Sequence, residues 1–321
     1  MWLIIFSVRI YQIGGLKSQP NLSTSSSALS SLQQSLSAQI RELLPPTQAA
    51  LLNGMLLGLQ SDLPRTFKDD LKTTSTIHMV VVSGQNLTIL AAFVMSAAGF
   101  LGRKKTAGLT LGVILFYAIL AGLGTPVIRA AIMAGLTYLS QIFGRERSAV
   151  WTLGLTAAVM LLFDPNYLFN ISFQLSFLAT LGVVVVAPLL NARLIWLPAM
   201  IRQDLSATMS AQILTLPIIG YNFGMLSLVG VMANLFLLWT VPFVMIIGAV
   251  ALILSYVSLF LGQVVGLGPG IILTYFIYIV QFFAQLPGAA IKLPATNLYI
   301  WAGYYLVVIG LVWSLSLKKL R

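Results

Sequence analysis

The sequence predicts an all-α protein whose helices cross a membrane several times, with several helices broken or re-entrant. Three observations predict it. Of 321 residues, 59% are hydrophobic and only 8% charged, a balance far from that of water-soluble domains. The apolar residues gather into runs long enough for a hydrocarbon core about 30 Å thick. Glycine, proline, serine and amide residues interrupt several of these runs, and backbone distorted at membrane depth must face a cavity or other protein.

Charge and cysteine usage narrow the function classes. The 18 Lys and Arg against 7 Asp and Glu give a formal charge of +11. That suits a nucleic acid, and equally suits cytoplasmic loops and lipid headgroups. With no cysteine and one histidine, a disulfide framework and a thiolate metal site are excluded, and a metal site would rest mostly on carboxylates. No cofactor, metal centre or catalytic residue is expected.

In chain order, residues 1–13 are apolar but too short to span alone and lack a small-residue cleavage site, which reads as an anchor or part of a longer span. Residues 16–38 are rich in Ser and Gln and run into a surface helix on which Leu29, Leu32, Leu36 and Ile40 keep a helical stripe. Pro45-Pro46 ends it. Residues 49–59 are apolar but too short for a crossing, hence interfacial or re-entrant. Residues 61–76 carry Asp62, Arg65, Lys68, Asp69, Asp70 and Lys72 and belong in water or headgroups.

Spans follow at 77–101, 107–123, 126–143, 149–163 and 171–190, then less clearly at 206–219, which Pro217 breaks, and at 226–239, 241–261, 271–286 and 298–317. Residues 1–48 thus form an N-terminal segment, 49–317 the polytopic domain and 318–321 a basic tail. The loop Arg103-Lys104-Lys105 marks the cytoplasmic side, and Arg145 with Arg147 agrees after two crossings. This orientation places His78, the Gly124-Thr125-Pro126 turn and the Asp164-Pro165 turn outside. Counting every later span as a crossing leaves the basic tail outside too, so either one span is re-entrant or those charges do not decide orientation. The pairs Gly108/Gly112 and Gly262/Gly266 fit a G-x-x-x-G packing pattern.

The polar residues inside these runs are the candidate site. In T-I-H-M-V-V-V-S-G-Q-N, residues 76–86, His78, Ser83, Gly84, Gln85 and Asn86 interrupt an apolar segment. As a continuous helix it would put His78 and Gln85 on one face and Ser83 well away from His78. Arg129, one turn into a helix that Pro126 starts, is either a snorkelling arginine or a phosphate contact at a pore mouth. Asp164 is either ordinary Asp-Pro turn chemistry or part of a larger motif with Asn170, Ser172 and Gln174. Asn170 and Gln174 stand four apart on one helix face, and Phe173 and Phe177 make the adjacent stripe. Amides there tie helices together or line a path on which bases stack. Gln212, Thr215, Asn222 and Asn234 form a second polar set around Pro217, Gly220 and Gly224, whose helix breaks suit a cavity.

Four stretches carry a family resemblance. H-M-V-V-V-S-G-Q-N is similar to the signature of the ComEC-type competence domain, with Asn86 where a second histidine is usual. Leu123 to Ala130 resembles the family's G-x-x-x-P-x-x-R-A, and Asp164 to Phe177 its D-P-x-x-L-x-x-x-S-F-Q-L-S-F. Phe223-Gly224 to Ser227, with Ala233-Asn234 downstream, is similar to F-G-x-x-S and A-N. The resemblance implies a multi-pass protein of the bacterial inner membrane that conducts single-stranded DNA inward during natural transformation. It implies membrane lipids, a DNA receptor, a separate nuclease and a cytoplasmic ATP-driven motor as partners, and a homo-oligomer as a possible assembly. The OB-like and metallo-β-lactamase-like domains of longer members have no counterpart here, and no P-loop is present in the sequence.

Two other readings stand beside the channel. One is a small-solute or ion transporter with a broken-helix site. The other, an intramembrane hydrolase using Ser83 and His78, is disfavoured by their angular separation.

Overall fold

The computed structural model describes residues 27–59, 62–142, 148–293 and 298–319. The apolar opening, most of the Ser/Gln-rich linker, Arg145, Arg147 and the last two residues of the basic tail lie outside the described residues. In order, the helices are α1 (Ser27–Leu43), α2 (Pro46–Leu57), α3 (Arg65–Thr73), α4 (Ile77–Val80), α5 (Gly84–Ala97), α6 (Arg103–Leu120), α7 (Thr125–Ile142) and α8 (Ala149–Phe163). There follow α9 (Ile171–Leu181), a π-helical turn (Gly182–Val186), α10 (Ala187–Asn191), α11 (Ala199–Phe223), α12 (Gly230–Leu237), α13 (Thr240–Ser255), α14 (Leu259–Ala284) and α15 (Leu298–Lys319). Among the described residues the fold is all-α apart from one antiparallel pair, β1 (Met225–Ser227) with β2 (Ala290–Lys292), in the register Leu226 opposite Ile291.

The chain divides into two compact units. The first holds the described residues of Met1–Arg65, His78–Phe173 and Thr240–Ile277. Its centre is α2, which Pro46 starts at the position where a missing N–H costs nothing. Every residue from Ala49 to Leu57 is buried, so this helix, about 18 Å long, is enclosed by α1 and α13 rather than lying at an interface. Gly248 of α13 allows that approach, because a Cβ there would stand 2.7 Å from Leu52 Cδ1. The α1 stripe is rotated from the expected one: Ser37 and Ile40 are buried while Leu32 is exposed, because Gln33 on the inner side reaches two carbonyls described below.

The expected span over 77–101 is interrupted. The turn α4 ends at Val80, Ser83 is extended (φ −123°, ψ 172°), and a new helix begins at Gly84. His78 and Gln85 therefore do not share a continuous helix face. The tight α6 to α7 turn places Gly122 and Leu123 at positive φ. Of the two G-x-x-x-G pairs, Gly262 packs on Ser255 and Leu43, whereas Gly108 and Gly112 face open space.

The second unit holds the described residues of Thr66–Ile77, Gln174–Trp239 and Tyr278–Arg321. Its α11 is continuous over 25 residues with Pro217 inside it, a correction to the expected break. Pro217 has no N–H for the Ile213 carbonyl four residues back; the Tyr304 hydroxyl donates to that oxygen at 3.0 Å, and Tyr305 donates to the Leu214 carbonyl at 2.9 Å. Tyrosines from α15 thus occupy the place where a cavity was expected. The π turn crosses α11 so closely that a Cβ on Gly182 would overlap the Ser210 carbonyl.

Among the described residues, Ile171–Asn191 and Leu259–Ala284 are long and apolar enough to cross a membrane. The pair α12 and α13 counts as a third if it is one span, and five further apolar helices are shorter.

Candidate functional site

In the first unit the Ser83 to Asn86 segment meets the start of α7. A Cβ on Gly84 would lie 2.7 Å from Arg129 Nη2 and 3.2 Å from the Ala130 Cβ. Glycine is thus what lets the guanidinium rest on the first turn of α5. Arg129 is only 9% exposed, the one charged side chain in the buried class among the described residues, and Nη1 lies 3.6 Å from Met133 Sδ. A snorkelling arginine would reach water; this one is enclosed.

Asn86 is buried, and its Nδ2 donates to the Met55 carbonyl at 3.0 Å. The Ser83 hydroxyl donates to Asn86 Oδ1 at 3.2 Å. Tyr117 donates to the same Met55 carbonyl at 3.1 Å, and Gln33 Nε2 reaches the Leu57 and Leu120 carbonyls at 2.9 and 2.8 Å. These acceptors are the last-turn carbonyls that helices α2 and α6 leave without internal donors. Asn86, Tyr117 and Gln33 therefore close two helix ends that meet at Gly58, whose φ of +75° sets it against the Ala121 carbonyl. His78 and Gln85 are exposed on either side of the break. Tyr117 and Gln33 were missed in the sequence because one sits in an unbroken apolar run and the other in a Ser/Gln-rich segment.

The Asp164 motif builds a turn. Asp164 Oδ1 accepts from the Asn166 amide at 3.0 Å and from Asn166 Nδ2 at 2.9 Å. Asn170 precedes α9 with non-helical backbone, and its Oδ1 accepts from the Phe173 amide at 3.2 Å, an N-cap. It does not share a helix face with Gln174, which corrects the expected pairing. Phe173 is buried and stacked on Tyr167, with centroids 6.2 Å apart. Ser172 is exposed and Gln174 half-buried.

In the second unit, Gly230 is crowded by Gln212 Nε2, Ser227 Oγ and Ser75 Cβ, each 3.1 Å from where its Cβ would be. Asn234, one turn further along α12, is 4% exposed and its Oδ1 has no hydrogen-bond partner among the described residues. Asn222 leaves this set: it is exposed and its Nδ2 returns to the Ile218 carbonyl at 2.8 Å. Thr215 likewise bonds within its own helix. Among the described residues no group of three or more His, Cys, Asp or Glu could hold a metal ion.

Comparison with known proteins now bears on the whole chain. It is 28% identical over 226 residues to "ComE operon protein 3" of Bacillus subtilis (strain 168), covering 69% of this chain and 28% of that one. It is 34% identical over 114 residues to an uncharacterised protein of Aquifex aeolicus (strain VF5), covering 35% of this chain and 27% of the relative. The matches thus span little more than a quarter of either relative. No solved structure matches. The family described as Competence protein matches residues 55–318, a stretch containing every polar residue of both sets except Gln33, and the chain belongs to that family, in agreement with its ComEC-type motifs.

Proposed function

We propose that the chain is a multi-pass channel of the bacterial inner membrane through which one strand of DNA enters the cytoplasm during natural transformation. Family membership supports a role in competence for DNA uptake. The observation that carries the finer reading is the placement of Arg129 on Gly84. A buried guanidinium lies beside the first turn of a helix, where amide N–H groups and the helix dipole also favour an anion. A phosphodiester presents the matching charge and geometry. Each unit, taken by itself, carries a polar set of candidate lining residues. His78, Gln85 and Ser172 are accessible for a strand, whereas Asn86, Asp164 and Asn170 act through the backbone they hold. The chain carries no catalysis in this reading: a separate nuclease removes the other strand, a receptor delivers DNA and a cytoplasmic ATP-driven motor draws it in.

The test is uptake of labelled DNA by a channel-deficient strain expressing wild type, Arg129→Ala or Arg129→Lys at matched membrane levels. Wild type restores uptake, Arg129→Ala lowers it about tenfold or more, as loss of a charge-assisted contact implies, and Arg129→Lys recovers part. Failure of inserted wild type with its partners present refutes the channel. A small-solute transporter is the second reading, favoured by the buried amide of Asn234, whose Oδ1 has no hydrogen-bond partner among the described residues and suits a polar solute at a broken helix. Uptake of a small solute that does not weaken with salt would select it.

A further inference from the structure

Between α6 and α7, within the first unit, lies an apolar groove of about 290 Å³. Leu111, Leu115 and Ala118 line one side, and Ala131, Ile132 and Gly135 the other. Small residues open it: a Cβ on Gly135 would meet nothing within 4 Å. A gap without polar partners does not hold ordered water.

The charge at one end selects the occupant. Helix α6 begins with Arg103, Lys104 and Lys105. Position 104 stands seven residues before Leu111, on the stripe that continues through Leu115 and Ala118. Gly108, between them, also faces open space. Rising 1.5 Å per residue, the helix carries this stripe about 10 Å from position 104 to Leu111 and about 21 Å to Ala118. One leaflet's hydrocarbon is about 15 Å deep. An acyl chain whose headgroup sits at the basic turn therefore passes Gly108 and ends inside the groove.

We propose that this groove seats an acyl chain of an anionic phospholipid whose headgroup lies at the basic start of α6. The proposal rests on the membrane reading of these helices. Each basic residue near an anionic headgroup favours it about fivefold, so the site discriminates by headgroup charge as well as by fit.

The experiment is native mass spectrometry of the full chain extracted from membranes containing equal phosphatidylglycerol and phosphatidylcholine. Wild type retains phosphatidylglycerol in preference by about tenfold or more. The variant R103Q/K104Q/K105Q loses that preference. Gly135→Leu, which fills open space and raises helix propensity, lowers retention of both lipids, and Leu115→Trp repeats the result from the facing helix. Circular dichroism and elution profile show that each variant is folded. Retention by both groove variants at the wild-type level overturns the proposal, and so does an unchanged preference in the triple variant. A chain that carbonate strips from membranes overturns the membrane reading and the groove with it, whereas retention without headgroup preference overturns the groove alone.

Discussion

Replacing Tyr304 by Phe removes the hydroxyl that donates to the Ile213 carbonyl at 3.0 Å, and Pro217 ensures that no helical amide takes its place. An unsatisfied carbonyl in low dielectric costs about 1–2 kcal/mol, near the upper end of what interhelical hydrogen bonds contribute in membrane proteins. In a Pro217→Ala background the amide of residue 217 returns and donates to Ile213. Tyr304→Phe then costs only about 0.5 kcal/mol, a coupling of about 1 kcal/mol between positions 87 residues apart. Tyr305 supplies the internal control. Its acceptor, the Leu214 carbonyl, faces the amide of residue 218 in either background, so Tyr305→Phe costs the same in both. The assay is reversible unfolding of purified protein in mixed micelles with increasing dodecyl sulfate, followed by circular dichroism. Equal costs of Tyr304→Phe with and without Pro217 refute the reasoning.

Gly182→Ala forces a methyl group onto the Ser210 backbone carbonyl; overpacking of this kind costs about 1–3 kcal/mol and appears as a lowered midpoint in the same titration. Asn170→Ala loses the cap on the Phe173 amide and costs about 1 kcal/mol, whereas Asn170→Asp keeps it; equal loss in both variants would refute the capping role. Burial, and then the neighbouring Asp69, raise the Asp70 pKa above the ordinary carboxylate value. The folded state therefore binds this proton more readily than the unfolded state. Its contribution is full below the ordinary value and lost as pH rises through the raised one. Thermal midpoints across the acid range fall with pH over that window, and Asp70→Asn removes this part of the slope.

How far the sequence revealed the fold depends on whether the deciding partner is local. Helix α8 begins and ends at the expected residues because an apolar run is bounded by charge on one side and Asp-Pro on the other. The break before Gly84 was also legible, since Ser-Gly followed by two amides fits a continuous apolar helix poorly. Pro217 misled because the hydroxyl that compensates for its missing N–H comes from Tyr304, far along the chain. Leu226 to Ser227 read as helix because three strand residues carry too little periodicity to register. In the site, Gly84 and Arg129 were both singled out, but only the folded chain shows their contact. Asn86 looked like a departure from a histidine motif; its burial against the Met55 carbonyl shows what an amide does there.

Gln33 carries a practical consequence. It lies ahead of the family match, which starts at residue 55, yet its amide holds carbonyls at the ends of two helices, α2 at Leu57 and α6 at Leu120. The boundary of shared ancestry and the boundary of independent folding therefore fall in different places. A fragment cut at residue 55 would discard most of α2 and strip the Leu120 end of its donor, so an expression fragment of this protein has to include α1, which starts at Ser27.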